Sequence, residues 1–158
     1  MSAVTRVEVP DLARIVDLER VDYADAFSVA TETDLAPEQW LRLFLEKSPL
    51  LVRLPVMGLF LAAGARLSWP LSSEDRTLGW RITSSTADQC VASMNVRVGL
   101  KARLVALTST GRVDIVTAVQ LDTEAARRIW VVGQRLHRRV DRIFLANAAR
   151  QASARLGV

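Results

Sequence analysis

The chain has 158 residues, half of them apolar and about a quarter charged, with a net charge of +4. This length and composition fit one globular domain with a substantial core and exclude a disordered chain. The single cysteine, Cys90, excludes an intramolecular disulfide, and the charged stretch Met1–Arg20 holds no apolar signal core, so the cytoplasm is the expected location.

Charge is distributed unevenly along the chain. Residues 1–46 carry a net charge of −6, residues 47–122 carry +4, and residues 123–158 carry +6. An acidic N-terminal part and a basic C-terminal part can attract each other within one fold, so the basic end requires no external polyanion. The sequence also lacks a recognisable helix-turn-helix pair, and we expect no nucleic-acid partner.

The first 46 residues predict one strand and one helix. Residues 1–22 are expected to be irregular, and residues 1–20 to be loosely ordered. A short helix at Asp11–Arg20 is compatible with the sequence. Period-two alternation predicts a strand at Tyr23–Thr31. Pro37 is well suited to the first position of a helix, and that helix is predicted to run to Glu46.

A second helix is predicted at Leu50–Leu67, strained near Pro55. It contains the longest apolar run of the sequence, Leu54–Ala65. This run is too short to span about 30 Å of hydrocarbon as a helix, and we expect no membrane insertion. The pattern favours a helix buried in the core, with an interfacial membrane segment as the alternative.

Four strands and a long helix are predicted in the second half. The strand segments are Leu78–Thr83, Gln89–Arg97, Leu100–Leu107 and Val113–Gln120. Short turns between them indicate an antiparallel meander. Residues 123–155 then predict an amphipathic helix on the order of 50 Å long, enough to cross a sheet.

The spacing of apolar residues on this last helix predicts which face is buried. Apolar residues that recur every three or four positions define the expected buried stripe, namely Ile129, Val132, Leu136, Val140, Ile143 and Phe144. Gly133 lies on the same stripe and is expected to let a neighbour approach closely. Arg128, Arg135 and Arg142 repeat on the opposite side, which is expected to be solvated or ion-paired.

Five short motifs carry a resemblance to a known superfamily. They are Asp22–Phe27, Pro37–Trp40, Gly79–Trp80, Thr117–Val119 and Leu136–Arg139. In their order along the chain they resemble the START-like (SRPBCC) superfamily, and more narrowly an uncharacterised bacterial DUF2867-type group. The resemblance implies a single START-like domain over residues 1–158.

The implied fold is α+β and of the helix-grip type. In it a curved antiparallel sheet has two short helices after its first strand and a long C-terminal helix packed across it. The predicted strands are one or two short of a full sheet of this kind. The resemblance also implies a hydrophobic cavity between helix and sheet, and it implies no particular catalytic residue.

Five residues are candidates for lining such a cavity: Trp80, Met94, Trp130, His137 and Phe144. Each of them could equally be an ordinary core residue. His137 is the only histidine and the one catalytic candidate, as a general acid or base. The alternative for His137 is a helix-edge side chain packed on aromatic rings. With one histidine in the chain, we expect no metal site.

Two further residues have a less favoured functional interpretation. Cys90 lies on an apolar strand face, where a free cysteine is usually a small core residue rather than a nucleophile. Arg81 is expected to be exposed, although a register error of one residue would turn it into the cavity to bind a carboxylate.

The sequence therefore supports three hypotheses. The first is a protein that binds a hydrophobic or amphipathic small molecule between sheet and C-terminal helix, without catalysis and without a cofactor. The second is a cyclase- or dehydratase-like enzyme that uses His137 in the same cavity. The third is a homodimeric interaction module without a ligand.

Overall fold

A computed structural model describes residues 3–155 of the chain. In chain order its elements are β1 (Thr5–Val7), β2 (Tyr23–Ala30), α1 (Pro37–Glu46), α2 (Leu50–Ala62), β3 (Arg76–Thr77), β4 (Trp80–Ser85), β5 (Gln89–Val96), β6 (Leu100–Ser109), β7 (Arg112–Leu121) and α3 (Glu124–Arg155). The predicted α+β fold is confirmed: a curved antiparallel sheet, two short helices and a long C-terminal helix packed across the sheet.

The described strands form one sheet in the order β1-β2-β7-β6-β5-β4-β3. Strands β4 to β7 are the predicted meander, and β2 pairs with β7, so the first long strand and the last lie side by side. The turn between β6 and β7 is a hairpin turn at Thr110–Gly111, where Gly111 has a φ of 74°. The strands that the sequence-based prediction missed are the short edge strands β1 and β3.

The two faces of the sheet are covered differently. On one face, Phe27 of β2 and Ile115 of β7 pack with Trp40 and Leu41 of α1 and with Leu145 of α3 in the main core. On the other face, the segment before β2 packs Leu12 and Val16 against the sheet. This segment forms turns rather than the predicted helix at Asp11–Arg20.

The first helix begins and ends where the sequence predicts, but α2 is shorter than predicted. It ends at Ala62, and Gly64 follows with a φ of +90°. The backbone N–H of Arg97 donates to the Gly64 carbonyl, and a Cβ at Gly64 would lie 2.7 Å from the Cβ of Arg97. This close approach and the positive φ both require glycine, and they end the helix.

The prediction that α2 is a buried core helix is wrong, because none of its residues is buried. Leu51 is 91% exposed, and Leu50, Leu54, Leu59 and Leu61 are at least half exposed. The helix is apolar around its whole circumference, so one side can border the interior while the opposite side remains apolar and faces outward. No helix in the part of the chain described here is both long and apolar enough to cross a membrane.

The predicted buried stripe of α3 is wrong for four of its six members. Val140 and Phe144 are buried, whereas Ile129, Val132, Leu136 and Ile143 are exposed. The residues that α3 does bury are often small or polar: Ala126, Val140, Asp141, Phe144, Leu145, Asn147, Ala148 and Ala152. Small side chains let a helix axis approach a sheet closely, and the larger aliphatic residues therefore lie beside the contact rather than in it.

Replacing Leu145 with alanine should test how strongly α3 is anchored. Leu145 is fully buried, so Leu145→Ala should lower the free energy of unfolding by about 2–5 kcal/mol, measured by urea denaturation. The matched control is Leu136→Ala on the same helix. Leu136 is 54% exposed, and its truncation should cost less than about 1 kcal/mol. Equal effects would contradict this assignment of the buried face.

Candidate functional site

A cleft of about 160 Å³ lies between α2, α3 and the α3-facing side of the sheet. Its walls are mostly aliphatic and aromatic and come from α1, α2, α3, the strands and the loops between them. Between Ala126 and Val140, α3 has no fully buried residue. Ile129, Trp130, Gly133, Leu136 and His137 from this stretch line the cleft.

All five residues predicted to line a cavity border this cleft. Trp80 and Met94 are buried on β4 and β5, and Phe144 is buried on α3. Trp130 and His137 lie on the cleft side of α3 and are partly buried. The structure thus brings the five together, with His137 between Trp130 and Phe144 along the helix.

The cleft has a mouth on the surface of the protein. Leu59 of α2 and Ile129 and Leu136 of α3 line the cleft and are also exposed. Gly133 lies on the same wall, and a Cβ built there meets no atom within 4 Å. The prediction that Gly133 lets a neighbour approach closely is therefore wrong, since it borders open space instead.

A cluster of ionisable groups lies where α3 passes over β2 and β7. The Nε2 atom of His137 is 3.3 Å from Oδ2 of Asp141 and 3.5 Å from Oδ1 of Asp25. Asp141 follows His137 by one helical turn, and Asp25 belongs to β2. Both carboxylates are buried, and His137 and Asp141 border the cleft, whereas Asp25 lies behind them.

Hydroxyl groups from the sheet hold the two carboxylates in place. Tyr23 donates to Asp25 over 2.6 Å, and Thr117 donates to Asp141 over 3.1 Å. Arg138 Nε in turn donates to the Tyr23 hydroxyl over 2.9 Å. Because Asp25 of β2 is paired with Thr117 of β7, and Thr117 holds Asp141 of α3, the two acids meet where α3 crosses these strands.

The surroundings change the pKa values of this cluster in different directions. Burial raises the pKa of Asp141 to about 6, against the opposing charge of His137. For Asp25, burial acts upward but is outweighed by the hydrogen bond and the charge of His137, and its pKa is lowered. For His137, burial acts to lower the pKa. The neighbouring Asp141 and Asp25 outweigh burial, and the pKa of His137 is raised.

Tyr23 is held as a neutral donor. Burial, with the neighbouring Asp25, raises the pKa of Tyr23 to about 12. The phenol therefore keeps its proton at neutral pH and can donate it to Asp25 without competition from ionisation.

The cluster can hold one positive charge between two carboxylates. Distances of 3.3 and 3.5 Å fit an imidazolium that faces both acids. Among the described residues, Asp25, His137 and Asp141 are also a group whose donor atoms could hold a metal ion, since these atoms lie within 4.8 Å of one another. The expectation of no metal site stays a prediction.

The remaining candidates lie outside the cluster. Cys90 is fully buried, does not line the cleft, and has its pKa raised to about 11 by burial, which keeps the thiol protonated. Arg81 is exposed, so the predicted register of its strand is confirmed and Arg81 does not face the cleft.

Sequence reasoning missed several residues of the site. Asp141 could have been found, because it lies four residues after His137 on a predicted helix and so shares its face. Asp25 gave a weaker signal, an acid in the middle of an apolar strand face. Arg53 and Thr117 also line the cleft, and nothing in their local sequence indicates this.

The pH dependence of folding follows from these shifts. Between pH 3.8 and about 6, the folded protein retains an Asp141 proton that the unfolded chain releases, so this residue's contribution to stability falls as pH rises. His137 stabilises the folded state below its ordinary pKa of 6.5, and this contribution is lost as pH rises through the higher folded pKa. Asp25 acts oppositely, and its contribution is lost on acidification below 3.8.

The imidazole of His137 should titrate above 6.5 in the folded protein. Because the chain has one histidine, its ring C–H resonances can be followed by NMR without ambiguity. Asp141→Asn removes the nearer negative charge, and the pKa of His137 should then fall.

Asp122→Asn is the matched control, since Asp122 is an exposed carboxylate whose ion pairs are with Arg20 and Lys101. It should leave the His137 titration unchanged. An unshifted His137 pKa in Asp141→Asn would contradict the proposed pairing.

Comparison of the chain with protein-family profiles, curated proteins and solved structures gives no match. The resemblance to the START-like superfamily therefore stays a prediction that rests on element order and short motifs. Function has to be argued from the site itself.

Proposed function

We propose that the protein binds an amphipathic small molecule in the cleft between α2, α3 and the sheet. The observation that carries the proposal is the cleft itself, about 160 Å³ in volume, apolar along most of its wall and open at Leu59, Ile129 and Leu136. A concave, mostly apolar site with a few convergent polar groups is the usual form of a small-molecule site.

Two unpaired donors favour a ligand with a hydrogen-bond acceptor. Arg53 and Trp130 line the cleft, and among the described residues Arg53 Nε and Trp130 Nε1 are buried without a hydrogen-bond partner. A buried donor without a partner costs about 1–3 kcal/mol, which a carbonyl or carboxylate of the ligand would recover. An apolar body with a carbonyl or carboxylate group is therefore the ligand class we infer.

Gly133→Leu should block the cleft without damaging the fold. The new side chain projects into open space, and leucine favours a helix over glycine by up to about 1 kcal/mol. Displacing two methylenes of a ligand removes roughly 1.6 kcal/mol, so binding of octanoate, measured by calorimetry, should weaken about tenfold or more.

Gly58→Leu is the matched control for this experiment. Gly58 is also helical and also has no atom within 4 Å of a built Cβ, but it is exposed and does not line the cleft. It should bind octanoate as the wild-type protein does. The proposal fails if both variants bind equally well or if the wild-type protein binds neither octanoate nor octanol.

Acid–base catalysis in the same cleft is the second candidate. The observation that favours it is His137 between two buried carboxylates whose pKa values are moved apart, with that of Asp25 lowered and that of Asp141 raised to about 6. Separated pKa values in one cluster allow one group to hold a proton while another accepts one. A cyclase- or dehydratase-like reaction would use His137 as the acid or base at the wall of the cleft.

Deuterium uptake would separate catalysis from simple binding. A molecule that copurifies with the protein from its own host, found by native mass spectrometry, would be incubated with the protein in D₂O. If His137 removes a proton from a ligand carbon and returns a deuteron, the recovered molecule gains mass, and His137→Gln should abolish this gain. Unchanged mass with wild-type protein at all pH values would exclude this chemistry for that molecule.

A further inference from the structure

The two helices that border the cleft expose an unusual amount of apolar surface. We call this the mouth surface and define it as Leu59 of α2 with Ile129, Val132, Leu136 and Ile143 of α3. Val132 is 83% exposed and Leu136 is 54% exposed. A protein in water seldom exposes many large aliphatic residues together, and such a surface marks an interaction site.

A strip of arginines runs beside the mouth surface on α3. At 3.6 residues per turn, Arg128 and Arg135 flank Val132, and Arg139 lies between Leu136 and Ile143. Arg128 pairs with Glu124, whereas Arg135 and Arg139 make no ion pair with any described residue. Beyond Glu124, the other acid of α3 is Asp141, which is buried, so the outward side of this helix carries positive charge almost alone.

We propose that the mouth surface docks on an anionic lipid bilayer. A helix with an exposed apolar strip next to a strip of arginines is suited to lie in the plane of a membrane interface. Its aliphatic side chains enter the boundary between head groups and acyl chains, while the long arginine side chains reach the phosphates. Leu59 of α2 lies on the other side of the mouth and adds a further exposed aliphatic side chain.

Charge favours lipid over a second copy of the chain as the occupant. Two copies joined face to face through the mouth surface would bring the arginine strips of both α3 helices close together, and like charges repel. A bilayer that contains anionic lipid neutralises the same arginines. Such docking is peripheral and is consistent with the lack of a membrane-spanning helix among the described residues. It departs from the sequence-based expectation of no membrane insertion.

Docking in this orientation would turn the cleft toward the bilayer. Leu59, Ile129 and Leu136 belong both to the mouth surface and to the lining of the cleft. An apolar molecule could then pass between the bilayer and the cleft without crossing water. The docking itself does not depend on a ligand, so it can be tested on the protein alone.

Flotation with large unilamellar vesicles tests the proposal. The full chain should float with vesicles of phosphatidylcholine that contain phosphatidylglycerol, and much less with phosphatidylcholine alone. Val132→Asp places a charge at a fully accessible point of the mouth surface and should abolish flotation. Arg135→Glu should weaken binding about fivefold or more, since each basic residue near an anionic surface contributes about 1 kcal/mol, a factor of about five.

Arg14→Glu is the matched control for charge. Arg14 is an exposed arginine in the segment that covers the opposite face of the sheet, so the same charge reversal there should change binding less than about twofold. Circular dichroism would verify that all variants fold. No flotation with anionic vesicles, or equal losses in Arg14→Glu and Arg135→Glu, would overturn the proposal. A concentration-dependent dimer that Val132→Asp abolishes would also overturn it, in favour of a second copy as the occupant.

Discussion

The rest of the structure depends on how α3 is held against the sheet. Ala126 anchors the start of the helix, and the residues from Val140 to Ala152 anchor its second half. Alanine at these points brings the helix close to its neighbours. No residue between Ala126 and Val140 is fully buried, and the part of α3 between these two residues lines the cleft.

The cluster of Asp25, His137 and Asp141 holds α3 over the sheet beside the cleft. Burying two carboxylates is unfavourable unless opposite charge and hydrogen bonds compensate, and here His137 and the hydroxyls of Tyr23 and Thr117 do so. An aliphatic core would join the helix to the sheet at least as strongly. Buried charged clusters that border a cavity are a common feature of functional sites.

Local signals in the sequence were enough for the type and order of the elements, because alternation and residues such as Pro37 act over a few positions. These local signals did not identify the buried face of α3. The spacing of apolar residues marks a stripe that includes Val132, but it does not tell whether the sheet or water lies against that stripe. The five cleft residues were predicted correctly because they lie on apolar faces, and the spacing of apolar residues does identify such faces. How well the partners of His137 could be predicted depends on their separation along the chain. Asp141 lies one helical turn away. Asp25 comes from a strand more than a hundred residues earlier, and only the pairing of β2 with β7 brings it near.

The absence of any buried residue in α2 has a consequence for how molecules enter the cleft. The free energy that holds a helix in place comes mostly from the apolar area it removes from water. α1 and α3 each bury several residues, whereas α2 buries none. Moving α2 aside therefore costs less than moving either of the other helices. The wall of the cleft that is held least strongly is also the one beside its mouth. A ligand of the proposed kind would therefore enter by displacing α2 and would leave the charged cluster under α3 in place.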